Sequence, residues 1–394
     1  MSWSRPITSH RLPRDRTPNA WSQRLDQRRA AGEPLLDLTE ANPTRVGLAG
    51  AGPEQLAALA DPGAAHYQPD PRGAIAAREA VAGYYRERGI TVPPGEIVLT
   101  ASTSEAYAHL FRLLADPGGT FLVPAPSYPL FEPLAALEGV RLATYRLAYD
   151  GRWHVDMASL EAAWAREVRG VVVVQPNHPT GSCLAPDERE ALERMCERQG
   201  TAIVADEVFG DFAWAEGSTL PSLLGPRRAP TFVLSGLSKV CGMPQLKLGW
   251  IAVAGPEAAR AEALQGLEWI ADLFLSVSTP VERALPHLLA GRAPWQARVR
   301  ERIAANLARL DQATARAPRL SRLAGEGGWV AVLRVPGPRS EEEWALELLR
   351  RGVVVHPGQF YDFEREAFLV LSLIVPPAEF DAGLSRIEEL ADGD

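Results

Sequence analysis

The sequence predicts an α/β protein built on a mainly parallel sheet, and three observations predict it. Short runs rich in Val, Ile, Phe and Thr recur between residues 96 and 253. These runs are apolar without polar alternation, as strands covered on both faces should be. Helical segments separate them, the pattern of βαβ units.

Taken in order, residues 1–33 are Arg- and Pro-rich with little periodicity and read as an arm with a first short helix. The N-terminus, Met-Ser-Trp-Ser-Arg-Pro, is polar and lacks the apolar run of a signal peptide. Seven strand candidates follow: 96–100, 120–124, 140–145, 170–174, 201–205, 231–235 and 249–253. Helices are expected at 104–114, 157–167 and 186–199. After about residue 255 the pattern changes. Two long helical stretches, 256–274 and 295–314, lead into a strand ending at Arg334. A helix over 340–351, short strands at 353–356 and 368–374, and a terminal helix from Ala378 complete the chain. The expected organisation is an N-terminal arm and small-domain segment (1–45), a large domain (46–285) holding the sheet between helices, and a small α+β domain (286–394) completed by the N-terminal segment. A chain of 394 residues is too long for one simple core, in keeping with a large and a small domain.

Composition narrows the function classes. Hydrophobic content of 46% and charged content of 23% describe an ordinary soluble globular protein. The net charge of −8 argues against nucleic acid or an anionic membrane as main partner. Cys183, Cys196 and Cys241 form no CxxC pair and no metal-ligand spacing, which fits free thiols in a reducing cytoplasm. No apolar stretch approaches membrane-spanning length. The expectation is a cytoplasmic protein with no nucleic-acid, membrane or metal partner.

The chemistry gathers at strand ends. Lys239 follows the apolar run at 231–235 among small and hydroxylic residues, with a second cation, Lys247, eight positions on. An amine held there suits a Schiff base with a phosphate-bearing aldehyde cofactor, and the neighbouring cation favours its neutral form. Ser102-Thr103-Ser104 joins a strand to a helix and can cup a phosphate against free N–H groups; alone it reads first as a plain cap. Tyr128 sits on a Pro-flanked turn at a strand's C-terminal end, where open α/β sheets bind ligands. Its ring could stack on a flat cofactor, although core packing is the commoner use of a lone Tyr. Asn177 and His178, in Gln-Pro-Asn-His-Pro-Thr-Gly, and Asp206 end the next two strands. A carboxylate meeting a pyridine nitrogen keeps it protonated and makes the ring an electron sink; a helix cap is the plain alternative.

In this order and spacing the motifs closely resemble the class I/II aminotransferases of pyridoxal-phosphate fold type I. The resemblance takes in nearly the whole chain, including His66-Tyr67-Gln-Pro-Asp-Pro-Arg-Gly73 and Leu38-Thr-Glu-Ala-Asn42-Pro-Thr. It implies pyridoxal 5′-phosphate as cofactor, Lys239 as the residue of the internal aldimine, Asp206 on the pyridinium nitrogen and Tyr128 on the ring. Ser102, Thr103, Ser104, Ser238 and Lys247 hold the phosphate. Tyr67, and with it Thr279 in Ser276-Val-Ser-Thr-Pro280, reaches the neighbouring subunit's phosphate, so that a homodimer shares its active sites.

The sequence also departs from the family. His178 stands where an asparagine usually bonds the cofactor's phenolic oxygen, with Asn177 one place earlier. Phe209 replaces a tyrosine bonding the same oxygen. Lys247 replaces an arginine and loses its bidentate fork. Val370 stands where the family carries its substrate-carboxylate arginine. Either another cation such as Arg45, near Asn42, binds the carboxylate, or the substrate lacks one there. The expected activity is amino transfer between an amino acid or amine and a keto acid. The alternative is a pyridoxal-phosphate lyase such as a C–S β-lyase; a third, non-enzymatic reading is a cofactor-binding regulatory module.

Overall fold

The computed structural model of the chain describes residues 7–13, 17–164, 167–364 and 367–393. The polar N-terminal residues 1–6 lie outside the described residues. Fourteen strands occur among these residues, in chain order β1 (Leu36–Asp37), β2 (Ile97–Thr100), β3 (Thr120–Ala125), β4 (Arg141–Tyr149), β5 (Trp153–Val155), β6 (Val168–Val174) and β7 (Ala202–Asp206). They continue with β8 (Thr231–Gly236), β9 (Gly249–Ala254), β10 (Ser321–Arg322), β11 (Val330–Arg334), β12 (Val353–Val354), β13 (His356–Pro357) and β14 (Phe368–Ser372).

The main sheet has the order β2-β9-β8-β7-β6-β3-β4-β5. Its centre is parallel, with β9 antiparallel to both β2 and β8 and β5 antiparallel to β4. All seven sequence-predicted strands lie in it. The eighth, β5, escaped prediction because it is a three-residue edge strand returning from a turn at Asp150–Arg152. Along β6, Val171 and Val173 enter the core on one face, whereas Val172 and Val174 enter the core on the other. That double coverage is why no polar alternation marks these strands.

Helices Thr103–Leu114 and Glu257–Phe274 lie on one face; Ile75–Glu87 and Thr279–Ala290 pack together on the other. Sequence analysis assigned neither member of that second pair. Ile75–Glu87 buries Arg78 among its apolar residues, and Thr279–Ala290 carries Pro286 inside it, which reads locally as a helix breaker despite the apolar stripe of Val281, Leu285 and Leu288. Helix Pro186–Gln199 appears as predicted: Glu188 returns to the Ala185 N–H at its start, and Gly200 ends it with φ +63°.

A smaller antiparallel sheet runs β10-β11-β14-β13. The predicted strand at 353–356 is two pieces: β12 pairs in parallel with β1 from the N-terminal segment, and β13 pairs with β14. Helices Arg292–Arg316, Glu341–Arg350 and Pro377–Asp392 complete this part of the chain.

Candidate active site

Ser102, Tyr128, Asn177, Asp206 and Lys239 gather at the C-terminal ends of strands of the main sheet. Register explains why: Val174 of β6 pairs with Asp206 of β7, which pairs with Leu234 of β8. Gly249 pairs with both Thr100 and Gly236, bringing the Ser102 turn to the Lys239 turn. A Cβ at Gly249 would stand 3.0 Å from the Ser235 carbonyl oxygen and 3.3 Å from the Ser102 carbonyl carbon. The floor between the two hydroxyl-bearing turns therefore leaves no room for a side chain.

Lys239 lies in the single helical turn Leu237–Val240 that follows β8. Its Nζ is 4.8 Å from the Trp329 ring centroid and 5.4 Å from that of Phe209. Desolvation lowers its pKa to about 8, with the Asp206 charge acting in the opposite direction. Asp206 is buried, and its pKa is raised to about 6 by desolvation. The Val208 N–H at 3.2 Å, the Tyr107 hydroxyl at 3.1 Å and Lys239 pull it back down. The result is a carboxylate and a partly neutral amine coexisting near pH 7 inside an aromatic enclosure.

Ser102 caps helix Thr103–Leu114 by accepting the Glu105 N–H at 3.1 Å, so the capping interpretation holds for its lone pair. Its hydroxyl hydrogen, Thr103 and Ser104 sit at a helix N-terminus, the usual setting for anions. Ser235 Oγ is buried without a partner. Lys247 is exposed and takes a left-handed φ of 52°, a strained setting for a non-glycine residue. Tyr128 is half-buried, edge-on to Phe131 at 5.8 Å and to His178 at 6.2 Å.

Asn177 and His178 occupy different surroundings. The Asn177 Oδ1 accepts from Thr180 Oγ1 at 3.0 Å, while its Nδ2 is buried without a partner. Asn177 lines a small cavity with Tyr145, Trp153 and Glu188. His178 stacks on Phe209 at 5.7 Å and meets Tyr361 edge-on at 5.5 Å. Desolvation, and next Lys239, hold its pKa down at about 3, so the imidazole is neutral.

Of the remaining predicted residues, Tyr67 is 71% exposed, and Thr279 begins helix Thr279–Ala290. Asn42 spends its Oδ1 on the Thr44 N–H and hydroxyl. Arg45 is exposed and pairs with Glu40 at 3.3 Å. The carbonyl of Glu40 accepts the Ser372 hydroxyl at 2.8 Å, which ties this segment to the end of β14. Sequence analysis missed Tyr107, Trp329 and Tyr361. Tyr107 and Trp329 stand in largely apolar stretches and Tyr361 in the mixed run Gln359-Phe-Tyr-Asp-Phe-Glu364, and none of the three sits in a local motif.

A family model for aminotransferase class I and II matches residues 30–387. An S-alkyl-thiohydroximate lyase of Arabidopsis thaliana is 29% identical over 225 residues, 55% of this chain and 48% of that protein. The tyrosine aminotransferase of Mus musculus is 28% identical over 218 residues, again 55% and 48%. The chain thus spans about half the length of these curated relatives. Its fold is that of an alanine aminotransferase from Pyrococcus furiosus, with a TM-score of 0.85 at 21% identity over 95% of this chain and 96% of that one.

Proposed function

The chain belongs to the class I and II aminotransferases, and from that premise we propose that it is a transaminase moving an amino group between an amine or amino acid and a carbonyl acceptor. Members of this family use pyridoxal phosphate, and the residues present fit that group. Ser235 carries an unpartnered buried hydroxyl beside a floor that excludes side chains, and Asp206 holds a buried carboxylate suited to a cationic ring nitrogen. The observation that carries the reading is the Lys239 amine, enclosed by the Trp329 and Phe209 rings and brought to a pKa of about 8 by desolvation against the opposing charge of Asp206.

Bound pyridoxal phosphate supplies an aldehyde that condenses with amines and a ring that delocalises the electron pair left on the substrate carbon. Ser102, Thr103, Ser104, Ser238 and Lys247 would hold its phosphate, and Tyr128 would cover its ring. Lys239 would anchor the group, then take the proton from the substrate carbon and return it one carbon away. Its lowered pKa leaves an appreciable neutral fraction for that task. Asp206 stays ionised at neutral pH and would hold the ring nitrogen's proton. Phe209 and Trp329 keep bulk water off the amine.

A homodimer accompanies this reading. Trp269, Leu273 and Leu275 are each about 70% exposed at the end of one helix, and an apolar surface of that kind fits a second copy of the chain. Tyr67 and Thr279 would then reach the partner's phosphate. No helix among the described residues is long and apolar enough to cross a membrane. The three cysteines are buried free thiols, which supports a cytoplasmic setting.

Incubation with amino donor alone tests the reading. A transaminase converts its bound cofactor stoichiometrically to the amine form without releasing ammonia. Recovery of the aldehyde form with ammonia release would instead establish the lyase reading, which the relative from Arabidopsis favours. Borohydride reduction should place the cofactor on Lys239, and on Lys247 only if the assignment is wrong; these are the chain's only two lysines.

A further inference from the structure

Trp329 immediately precedes β11 and is fixed from two sides of the site. The Gly328 N–H donates to the Phe212 carbonyl at 2.9 Å, and the N–H groups of Glu326 and Gly327 both donate to the Gly181 carbonyl, at 2.7 and 3.0 Å. These bonds tie the segment to the stretches after β6 and β7, which carry His178 and Phe209. A Cβ at Gly327 would stand 2.7 Å from the Phe212 carbonyl oxygen, so only glycine allows that approach. The ring is held as firmly as the backbone. Phe209, Phe212 and Trp295 meet it edge-on, with centroids at 5.4, 5.2 and 6.2 Å.

Lys239 Nζ lies over this ring, 4.8 Å from its centroid and closer than to the Phe209 centroid at 5.4 Å. Trp329 is 1% exposed within the single chain, so the contact belongs to the chain itself, whatever a second copy adds to the site. The indole carries a cost that a phenylalanine would avoid, because its Nε1–H is buried with no acceptor among the described residues. What it offers beyond a phenyl group is a more strongly negative face, the better partner for a cation.

Lys239 receives a proton as an amine and holds it as an ammonium. Burial among the rings displaces the water that would stabilise the charge, which favours the amine. A ring face within about 6 Å attracts the cation without competing for its proton. Asp206, at the end of β7, attracts it as well, and neutral His178 after β6 is the other titratable group coupled to it. Tyr128 and His356 act on those two.

Resting on the transaminase reading, we propose that Trp329 is a catalytic residue of this site, its indole face holding the ammonium that Lys239 becomes on taking the proton from the substrate carbon. The C–H bond breaks, its electron pair stays on the carbon side, and the proton forms the third N–H bond of Nζ. The indole face cannot take that proton in turn, so it stays on Nζ until it is returned one carbon away.

The experiment replaces Trp329 with mono-, di- and trifluorotryptophan by site-specific incorporation, which keeps the ring's shape and progressively withdraws charge from its face. In cofactor-free protein, trace labelling with acetic anhydride across a pH series reads the midpoint of Lys239. Lys247, the only other lysine, is the internal reference. Asp206 at about 6 and His178 at about 3 titrate below Lys239 at about 8. A weaker hold on the cation favours the amine, so the midpoint is expected to fall stepwise, by about one unit over the series. The same series at Trp295, which borders the Trp329 ring, is expected to leave it in place. In loaded protein, the single-turnover rate with L-glutamate, L-alanine or L-phenylalanine, whichever converts the wild type fastest, is expected to fall severalfold along the Trp329 series, because a weaker base takes the proton more slowly. A midpoint that stays fixed or rises, one that moves equally along the Trp295 series, or an unchanged single-turnover rate overturns the inference and leaves the transaminase reading standing. Cofactor trapped by borohydride on Lys247 instead of Lys239 removes both.

Discussion

Tyr107 gives its hydroxyl hydrogen to Asp206 Oδ2 over 3.1 Å, with both residues buried. Burial alone pushes the carboxyl up, and this bond is one of two that hold it toward the anion. The phenol ring is separately fixed by Phe131 at 5.3 Å and Phe111 at 6.0 Å. Tyr107→Phe should therefore keep the packing and lose the donor. A hydrogen bond to a charged group contributes about 1.5–3 kcal/mol, so kcat should fall by about ten- to a hundredfold. The acidic limb of its pH profile should move upward. A profile identical to wild type would reduce Tyr107 to core packing.

Asp206→Asn should separate stability from activity. The folded-state pKa is raised from 3.8 to about 6, so the native state binds this proton more tightly than the unfolded chain. Stability from this group is present below about pH 4 and is lost as pH rises through 6. A shift of about two units corresponds to roughly 3 kcal/mol. The cofactor-free variant should unfold at a higher temperature than wild type at pH 7.5, with the difference vanishing near pH 4, while turnover is lost. Thermal melts at the two pH values measure the first effect. Equal melting at pH 7.5 would show that Asp206 carries no such penalty.

Particular residues show how far the sequence could be read. Lys239, Asp206 and Tyr128 were legible as candidates because each ends or closely follows a strand whose apolar run is itself conspicuous, and strand ends converge by topology. Tyr107 and Trp329 were not, because their partners lie 99 and 90 positions away, at Asp206 and Lys239. Local pattern carries no information about such pairs. The strand expected at 353–356 failed for a related reason: Val353 pairs with Leu36 of the N-terminal segment, and His356 pairs with Val370. One run serves two sheets, and only long-range pairing divides it.

Self-association should depend on the end of helix Glu257–Phe274. Trp269 and Leu273 are four residues apart and so share one helical face, at 70% and 68% exposure. Trp269→Glu with Leu273→Glu places two charges where a second copy would bury apolar surface. Sedimentation should show a monomer with an unchanged circular dichroism spectrum, and cofactor affinity should fall as Tyr67 and Thr279 lose their partner site. A double variant that remains dimeric would move the interface elsewhere.

The last prediction concerns the two neighbours that compete for one role, the hydrogen bond to the cofactor's phenolic oxygen. Asn177 has its Oδ1 tied to Thr180, keeps its Nδ2 unpartnered, and lines the cavity beside Tyr145 and Glu188. His178 lies among Phe209, Tyr128 and Tyr361, and its titration is pushed down by desolvation and next by Lys239. Phe209 offers no hydroxyl, so a neutral imidazole N–H is the donor these contacts favour. Such a bond stabilises the phenolate and with it the unprotonated nitrogen joining Lys239 to the cofactor. The wild-type imidazole should stay neutral across the accessible range, given a pKa near 3. His178→Ala should then raise the pH midpoint of the bound cofactor's absorbance change by about one unit, the equivalent of roughly 1.4 kcal/mol. Asn177→Ala should leave the midpoint in place and act on stability instead, because it removes the acceptor of Thr180. Absorbance titrations of the two holoenzyme variants, side by side with wild type, decide between them. A midpoint that moves only in the Asn177 variant assigns the bond to the amide and returns His178 to aromatic packing.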